Sequence, residues 1–288
     1  MYPYLEELVL EIKKSGAIVD TPTNGTLLTK YAQTLVRCGF DFVRVSIDGP
    51  RELNDEQRGK GAYDKAVAGI EALFREREKP YAKGPVIGII YTVTVENHLG
   101  IERFFLKDLN LKYVNWATIQ LQNFITESMG KSYAGFLKRE FSLGSDVHWR
   151  GLVRATTDFA YMDIEEMCRQ IRNVVKQMWS IGKPVILLPP TLSEENYRAY
   201  FKAAWSKMSD RYRLCPVPWS AVDITANGDV APCHIFYDLT MGNLQEDSFE
   251  NIWNSERYNK FRNWIRNHGL MPICQGCCIL YIVGERSD

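Results

Sequence analysis

Cys215, Cys233, Cys274 and Cys277 are the residues whose type and spacing could do chemistry. Cys215 opens the run Cys-Pro-Val-Pro-Trp-Ser-Ala-Val-Asp-Ile-Thr-Ala-Asn-Gly-Asp-Val-Ala-Pro-Cys, which closes at Cys233. Cys274 and Cys277 form a Cys-x-x-Cys pair, and Cys278 follows directly. A thiolate is the soft ligand that zinc and iron–sulfur clusters select. Cys-x-x-Cys sets two sulfurs on one tight turn, so both can reach one centre, and two pairs meeting across a fold make a four-sulfur site. The spacing points to a metal and leaves its identity open, since Cys₄ zinc sites and four-thiolate [4Fe–4S] clusters share it. Cys278 reads as a neighbour, because adjacent cysteines rarely both reach one centre. Cys38 and Cys168 fall on apolar helix faces and read as core residues.

The chain has 288 residues, 35 Lys plus Arg against 35 Asp plus Glu, and so a net charge of zero. No basic surplus argues for nucleic acid, and no block of like charge suggests an interaction tail. No apolar stretch is long enough to cross a bilayer, and the N-terminus shows no signal peptide. Seven cysteines, an odd number clustered late, fit metal binding in a cytoplasmic protein better than a disulfide framework.

The elements that must position the cysteines follow from periodicity. Tyr4 to Ser15 reads as an amphipathic helix carrying Leu5, Leu8, Val9 and Ile12, stopped by Gly16. Ala17 to Thr23 reads as a strand, Leu28 to Arg37 as a helix and Phe42 to Ile47 as a strand. Tyr63 to Arg77 is a helix, and Val86 to Val95 is a β-branched run like a strand buried on both faces. Asn97 to Leu109 gives a weaker helix and Tyr113 to Leu121 a fourth strand. Such alternation implies parallel strands joined by helical crossovers, with polar chemistry at the strands' C-terminal ends. Phe124 to Phe159 shows no clear period and reads as an extended loop or lid. A helix over Asp163 to Ile181, a short strand over 183–190 and a helical connector over Leu192 to Met208 follow. In the cysteine region, a hairpin turns at Asn227-Gly228, and one helix runs from Phe249 to Asn267.

Thr-Asn-Gly-Thr-Leu-Leu (23–28), Val-Ser-Ile-Asp-Gly-Pro (45–50) and Arg58-Gly59 before Ala62-Tyr63-Asp64 resemble the barrel of radical S-adenosylmethionine enzymes. Cys215, Asn227-Gly228-Asp229-Val230, Cys233, Gly242-Asn243-Leu244, Ile252-Trp253 and Cys274-x-x-Cys277 resemble the SPASM/Twitch auxiliary cluster domain found on many of them. The resemblance covers 1–121 and 210–280. It implies an α/β fold: a partial TIM-like (β/α) barrel lacking its first strands, over 1–208 with the irregular insertion at about 124–160. A small α+β cluster domain follows over 209–288.

By that resemblance, Cys215, Cys233, Cys274 and Cys277 hold an auxiliary [4Fe–4S] cluster. Ser46 contacts the ribose of S-adenosylmethionine, Arg58 its carboxylate, and Asn24 a polar group at the barrel mouth. Arginine suits a carboxylate because its planar fork gives two parallel charge-assisted bonds. The implied reaction is hydrogen abstraction by a 5′-deoxyadenosyl radical from a peptide, protein or cofactor precursor, with an external electron donor. The Cys-x-x-x-Cys-x-x-Cys loop of that family does not occur in these residues. The chain as written is therefore expected not to cleave S-adenosylmethionine reductively, and its start is expected to lie after the second barrel strand. The alternative is a non-catalytic zinc- or iron–sulfur-binding module that recognises a peptide or protein. His234, beside Cys233, reads as a hydrogen-bond donor to a ligand or as a surface residue.

Overall fold

The computed structural model describes residues 2–80, 82–144, 149–209 and 211–287. They form two compact units, 1–122 with 162–192, and 123–161 with 193–288.

The first unit is built on a parallel sheet in sequential order: β1 (Asp20–Thr23), β2 (Phe42–Ser46), β3 (Val86–Val93), β4 (Trp116–Leu121) and β5 (Val185–Leu188). The helices Leu28–Arg37 and Ala62–Arg77 link the first three strands and pack on each other. Side chains alternate across a strand, and here the two faces differ in kind. Val43, Val45, Ile87, Ile89, Tyr91 and Ala117 are wholly buried. Val45 meets Ala66 of the helix Ala62–Arg77 across Gly25. The opposite face carries Arg44, Ser46, Ile90, Thr92, Trp116 and Gln120, all half-buried. Its registers set Ser46 against Ile90, Ile90 against Thr118, and Thr92 against Gln120. On it, Trp116 lies over Gly88, and Arg44 pairs with Asp20. The sheet is the α/β arrangement expected, with five strands and no closure into a barrel among the described residues. β1 is an edge strand that contains Pro22, which has no N–H to offer a further strand.

Several elements differ from the sequence expectation. Of the apolar positions in the helix Leu5–Lys14, only Val9 is buried. A polar helix, Arg51–Arg58, stands between Pro50 and Gly59 where none was expected. It buries only Asn54, so it carries no apolar stripe to announce it. The helix expected from Asn97 starts at Ile101 and passes into a π-helical turn at Phe104–Asp108. β4 begins at Trp116, after a 3₁₀ turn at Leu111–Tyr113.

The second unit holds the helices Glu127–Phe141, Glu194–Phe201, Phe249–Trp253, Glu256–His268 and Cys278–Val283. β6 (Tyr212–Leu214) pairs with β10 (Glu285–Arg286), and β7 (Asp223–Ile224), β8 (Asp229–Ala231) and β9 (Gly242–Asn243) form an antiparallel sheet. The segment expected to be a loop or lid contains the regular helix Glu127–Phe141. Thr126 caps it by accepting from the Met129 N–H, and Tyr133, Phe136, Leu137 and Phe141 form its buried face at helical spacing. The single helix expected over 249–267 is two, broken at Asn254-Ser255, where Ser255 caps the second. Their buried faces join Phe136, Val230, Phe236 and Met241 in one core.

Candidate functional site

The cysteine region is shaped by the Asn227-Gly228 turn. Asn243 Nδ2 donates to Asn227 O at 3.0 Å and to Asp229 Oδ1 at 2.9 Å, which locks that turn from β9. Gly242 lies so close to Ile252 that a Cβ would sit 2.8 Å from it, so the strand and the Trp-bearing helix touch. β8 then delivers Cys233. On the other side, Arg262 donates to Pro218 O at 2.8 Å and lies over the rings of Trp253 and Tyr258. That pins the turn after Cys215 to the helix Glu256–His268.

Cys215, Cys233, Cys274 and Cys277 line one cavity, with Val217, Phe236, Phe261, Ile265 and Leu280 as its apolar wall. Two pairs separated by some forty residues are thus brought together. Burial pushes the Cys274 thiol up to about 12, and it pushes the Cys215 and Cys233 thiols up as well. An apolar wall disfavours any thiolate, so four thiols here become anions only with a cation among them. Cys278 is not part of the cavity wall; its sulfur accepts from Asn123 Nδ2 at 3.3 Å and also contacts the Cys277 and His234 side chains. The sulfur of Cys277 lies 3.5 Å from His234 Nε2, which places His234 beside a candidate ligand. The Cys-x-x-Cys turn needs Gly276, since a Cβ there would meet the Phe124 carbonyl oxygen at 2.1 Å. Asn123 and Phe124 gave no signal in sequence, because their role is contact made at a distance along the chain.

In the sheet unit, Asp48 is the centre of a knot at the C-terminal ends of β2 and β3. Its carboxylate accepts from Arg58 Nε at 2.7 Å and Nη2 at 2.5 Å, and from the Thr92 N–H at 2.9 Å. Its own N–H donates to Asn54 Oδ1 at 3.0 Å. Burial raises the Asp48 carboxyl above its ordinary range, against the downward pull of Arg58 and the Thr92 N–H. Asn97 is wholly buried, donating to Asp48 O and Thr92 O and accepting from the Thr94 N–H. Asn24 Oδ1 accepts from the Thr26 N–H and hydroxyl, closing a local turn. Asn24, Ser46, Arg58 and Asn97 therefore share one end of the sheet, but three of them are spent on structure. The Ser46 hydroxyl has no hydrogen bond among the described residues and lies on the half-buried face. Cys38 and Cys168 are buried, as expected, with Cys168 donating to Leu192 O at 3.2 Å. His98 is structural: its Nε2 accepts from the Asp163 N–H and its Nδ1 faces Val95 O. His148 lies outside the described residues.

Residues 215–278 match the SPASM family, an iron-sulfur cluster-binding domain. The match begins at Cys215 and closes on Cys278, enclosing the four cavity cysteines. Residues 215–278 are thus a SPASM-type stretch, and the chain as a whole is similar to radical S-adenosylmethionine enzymes that carry such a domain. Consistent with that, it is 24% identical to the tungsten-containing aldehyde ferredoxin oxidoreductase cofactor-modifying protein of Pyrococcus furiosus, over 97% of this chain and 70% of that protein. It is 25% identical to a serine-type anaerobic sulfatase-maturating enzyme of Bacteroides thetaiotaomicron, over 94% of this chain and 62% of that enzyme. Among solved structures, native anSMEcpe with bound AdoMet superposes with a TM-score of 0.51 at 15% identity, covering 92% of this chain and 72% of that one. That likeness shows the α/β fold. No described helix is long and apolar enough to cross a membrane.

Proposed function

We propose that this chain is a maturase-type radical S-adenosylmethionine/SPASM protein whose Cys215, Cys233, Cys274 and Cys277 hold an auxiliary [4Fe–4S] cluster. The convergence of these four thiols on one apolar cavity carries the reading. The donor set fits the cluster better than zinc. Four thiolates suit a [4Fe–4S] cluster, and the stretch that supplies them matches an iron-sulfur cluster-binding domain. Bound there, the cluster supplies one-electron redox chemistry; the chain's part is to exclude water and to present the sulfurs.

S-Adenosylmethionine is assigned to the half-buried face of the sheet, with Ser46 as its contact. Asn24 and Arg58 shape that mouth through Thr26 and Asp48. The substrate class is a peptide, protein or cofactor precursor, in keeping with the named relatives, and the electron donor is external. The test is anaerobic reconstitution with iron and sulfide. The expected result is roughly four iron and four sulfide per chain with a broad charge-transfer absorption. A colourless protein carrying one zinc per chain would refute it.

A further inference from the structure

Five tyrosines stand within electrostatic reach of the cavity cysteines or of neighbouring Cys278. Cys233 acts on Tyr133, Tyr237 and Tyr258, and Cys277 and Cys278 act on Tyr200 and Tyr281. Four of their hydroxyls have an acceptor. Tyr237 donates to Asp223 Oδ1 at 3.4 Å, Tyr258 to Ala221 O at 3.5 Å, Tyr200 to Gly276 O at 3.5 Å and Tyr281 to Gln275 O at 2.8 Å. The Tyr133 hydroxyl is buried and has no hydrogen-bond partner among the described residues. A buried hydroxyl left without a partner costs about 1–3 kcal/mol, so such a group in a native fold calls for an acceptor.

Its surroundings say where that acceptor lies. Tyr133 is on the buried face of the helix Glu127–Phe141, which packs on the 3₁₀ turn Pro272–Cys274. Its ring sits 5.2 Å from that of Phe236, a wall residue of the cavity. Cys233 and Cys274 pack against the same core that Tyr133 belongs to. After burial, Asp238 acts most on its hydroxyl, followed by Cys233 and Cys274, but Asp238 makes no hydrogen bond to it.

We propose that the Tyr133 hydroxyl donates a hydrogen bond to a sulfur of the cluster at Cys233 and Cys274, and thereby sets its reduction potential. This rests on the reading that the four cysteines hold a cluster. Reduction adds negative charge to the sulfurs, and a charge-assisted hydrogen bond strengthens with that charge. Tyr133 therefore stabilises the reduced form and raises the potential. It is a positioning residue, supplied by the segment that sequence periodicity left unassigned.

Tyr133→Phe keeps the ring on Phe236 and removes only the donor. Wild type and variant are reconstituted anaerobically, assayed for iron and sulfide, and titrated with the EPR signal of the reduced cluster as readout. Equal iron and sulfide in both, with the variant's midpoint about 59 mV more negative, a tenfold change in a one-electron equilibrium, supports the proposal. Equal cluster content with an unmoved midpoint overturns it. If wild type takes up no cluster, the parent reading fails and the proposal with it, an outcome read from the iron content alone. Should the Phe variant fail to hold its fold, 3,5-difluorotyrosine in place of Tyr133 gives a stronger donor of nearly the same shape. A midpoint that rises supports the assignment, and one that stays overturns it. Tyr258→Phe is the control: its hydroxyl already has Ala221 O, so its loss leaves the midpoint in place.

Discussion

Replacing Arg58 with Met separates a structural arginine from one held for a ligand. Asp48 is 1% exposed, and both of its strong cationic contacts come from Arg58. Without Arg58, the carboxylate keeps only the Thr92 N–H. Breaking a buried pair costs about 3–5 kcal/mol, because one charge is left unpaired out of water. Arg58 is 26% exposed, so solvent screens part of the interaction and the lower end, about 3 kcal/mol, applies. For a unit of this size that is a fall in Tm of about 6–12 °C.

The effect depends on pH. Burial already holds the Asp48 carboxyl above its unfolded value, and losing Arg58 raises it further. A group whose folded pKa is raised contributes no penalty below its unfolded pKa. The penalty then grows as pH rises through the folded one. The variant should therefore be closer to wild type near about pH 4, the unfolded carboxyl pKa, than at neutral pH. Asp48→Asn combined with Arg58→Met removes the stranded charge while keeping an acceptor for Thr92, and should recover most of the loss. Thermal melts by circular dichroism at both pH values read all three proteins. A loss under about 1 kcal/mol for Arg58→Met, or a double variant no better than the single, would show that Arg58 is not the structural partner of Asp48. An arginine reserved for a ligand would leave the melt unchanged and weaken S-adenosylmethionine binding instead.

Asn97→Ala leaves three buried backbone groups without partners, at Asp48, Thr92 and Thr94. It should destabilise the sheet unit by at least about 3 kcal/mol in urea unfolding. Gly276→Ala forces a Cβ to within 2.1 Å of the Phe124 carbonyl oxygen. It should cut iron uptake on reconstitution sharply, and full iron content would show that the turn can yield. Cys277→Ala should lower iron per chain and bleach the charge-transfer absorption. Cys278→Ala should retain both, since Cys278 is not part of the cavity wall.

The sequence by itself picked out the four cysteines that line one cavity and the alternating core of the second strand. Cys215, Cys233, Cys274 and Cys277 were legible because ligand spacing is a local property of a turn. The Asn227-Gly228 hairpin was legible for the same reason. Val43 and Val45 were legible because a strand with a buried face must repeat with period two, whereas the run over β3, read as buried on both faces, leaves Ile90 and Thr92 half-buried. The helix Glu127–Phe141 carried its signal in Thr126 and the spacing of Tyr133, Phe136, Leu137 and Phe141, but scattered glycine and charge hid it. Gly130 is there because Trp149 packs against it, a contact no local pattern foretells. Only the tertiary structure decided that Arg58 is spent on Asp48 and Asn24 on Thr26. A polar side chain's partner is fixed by what the fold places within 3 Å, and residue type says only that it needs one. Tyr133 shows the converse. Its segment was read as a loop, and its hydroxyl, unpartnered among the described residues, comes into the core shared with Cys233 and Cys274 only once a helix and a cysteine turn far apart in sequence are packed together.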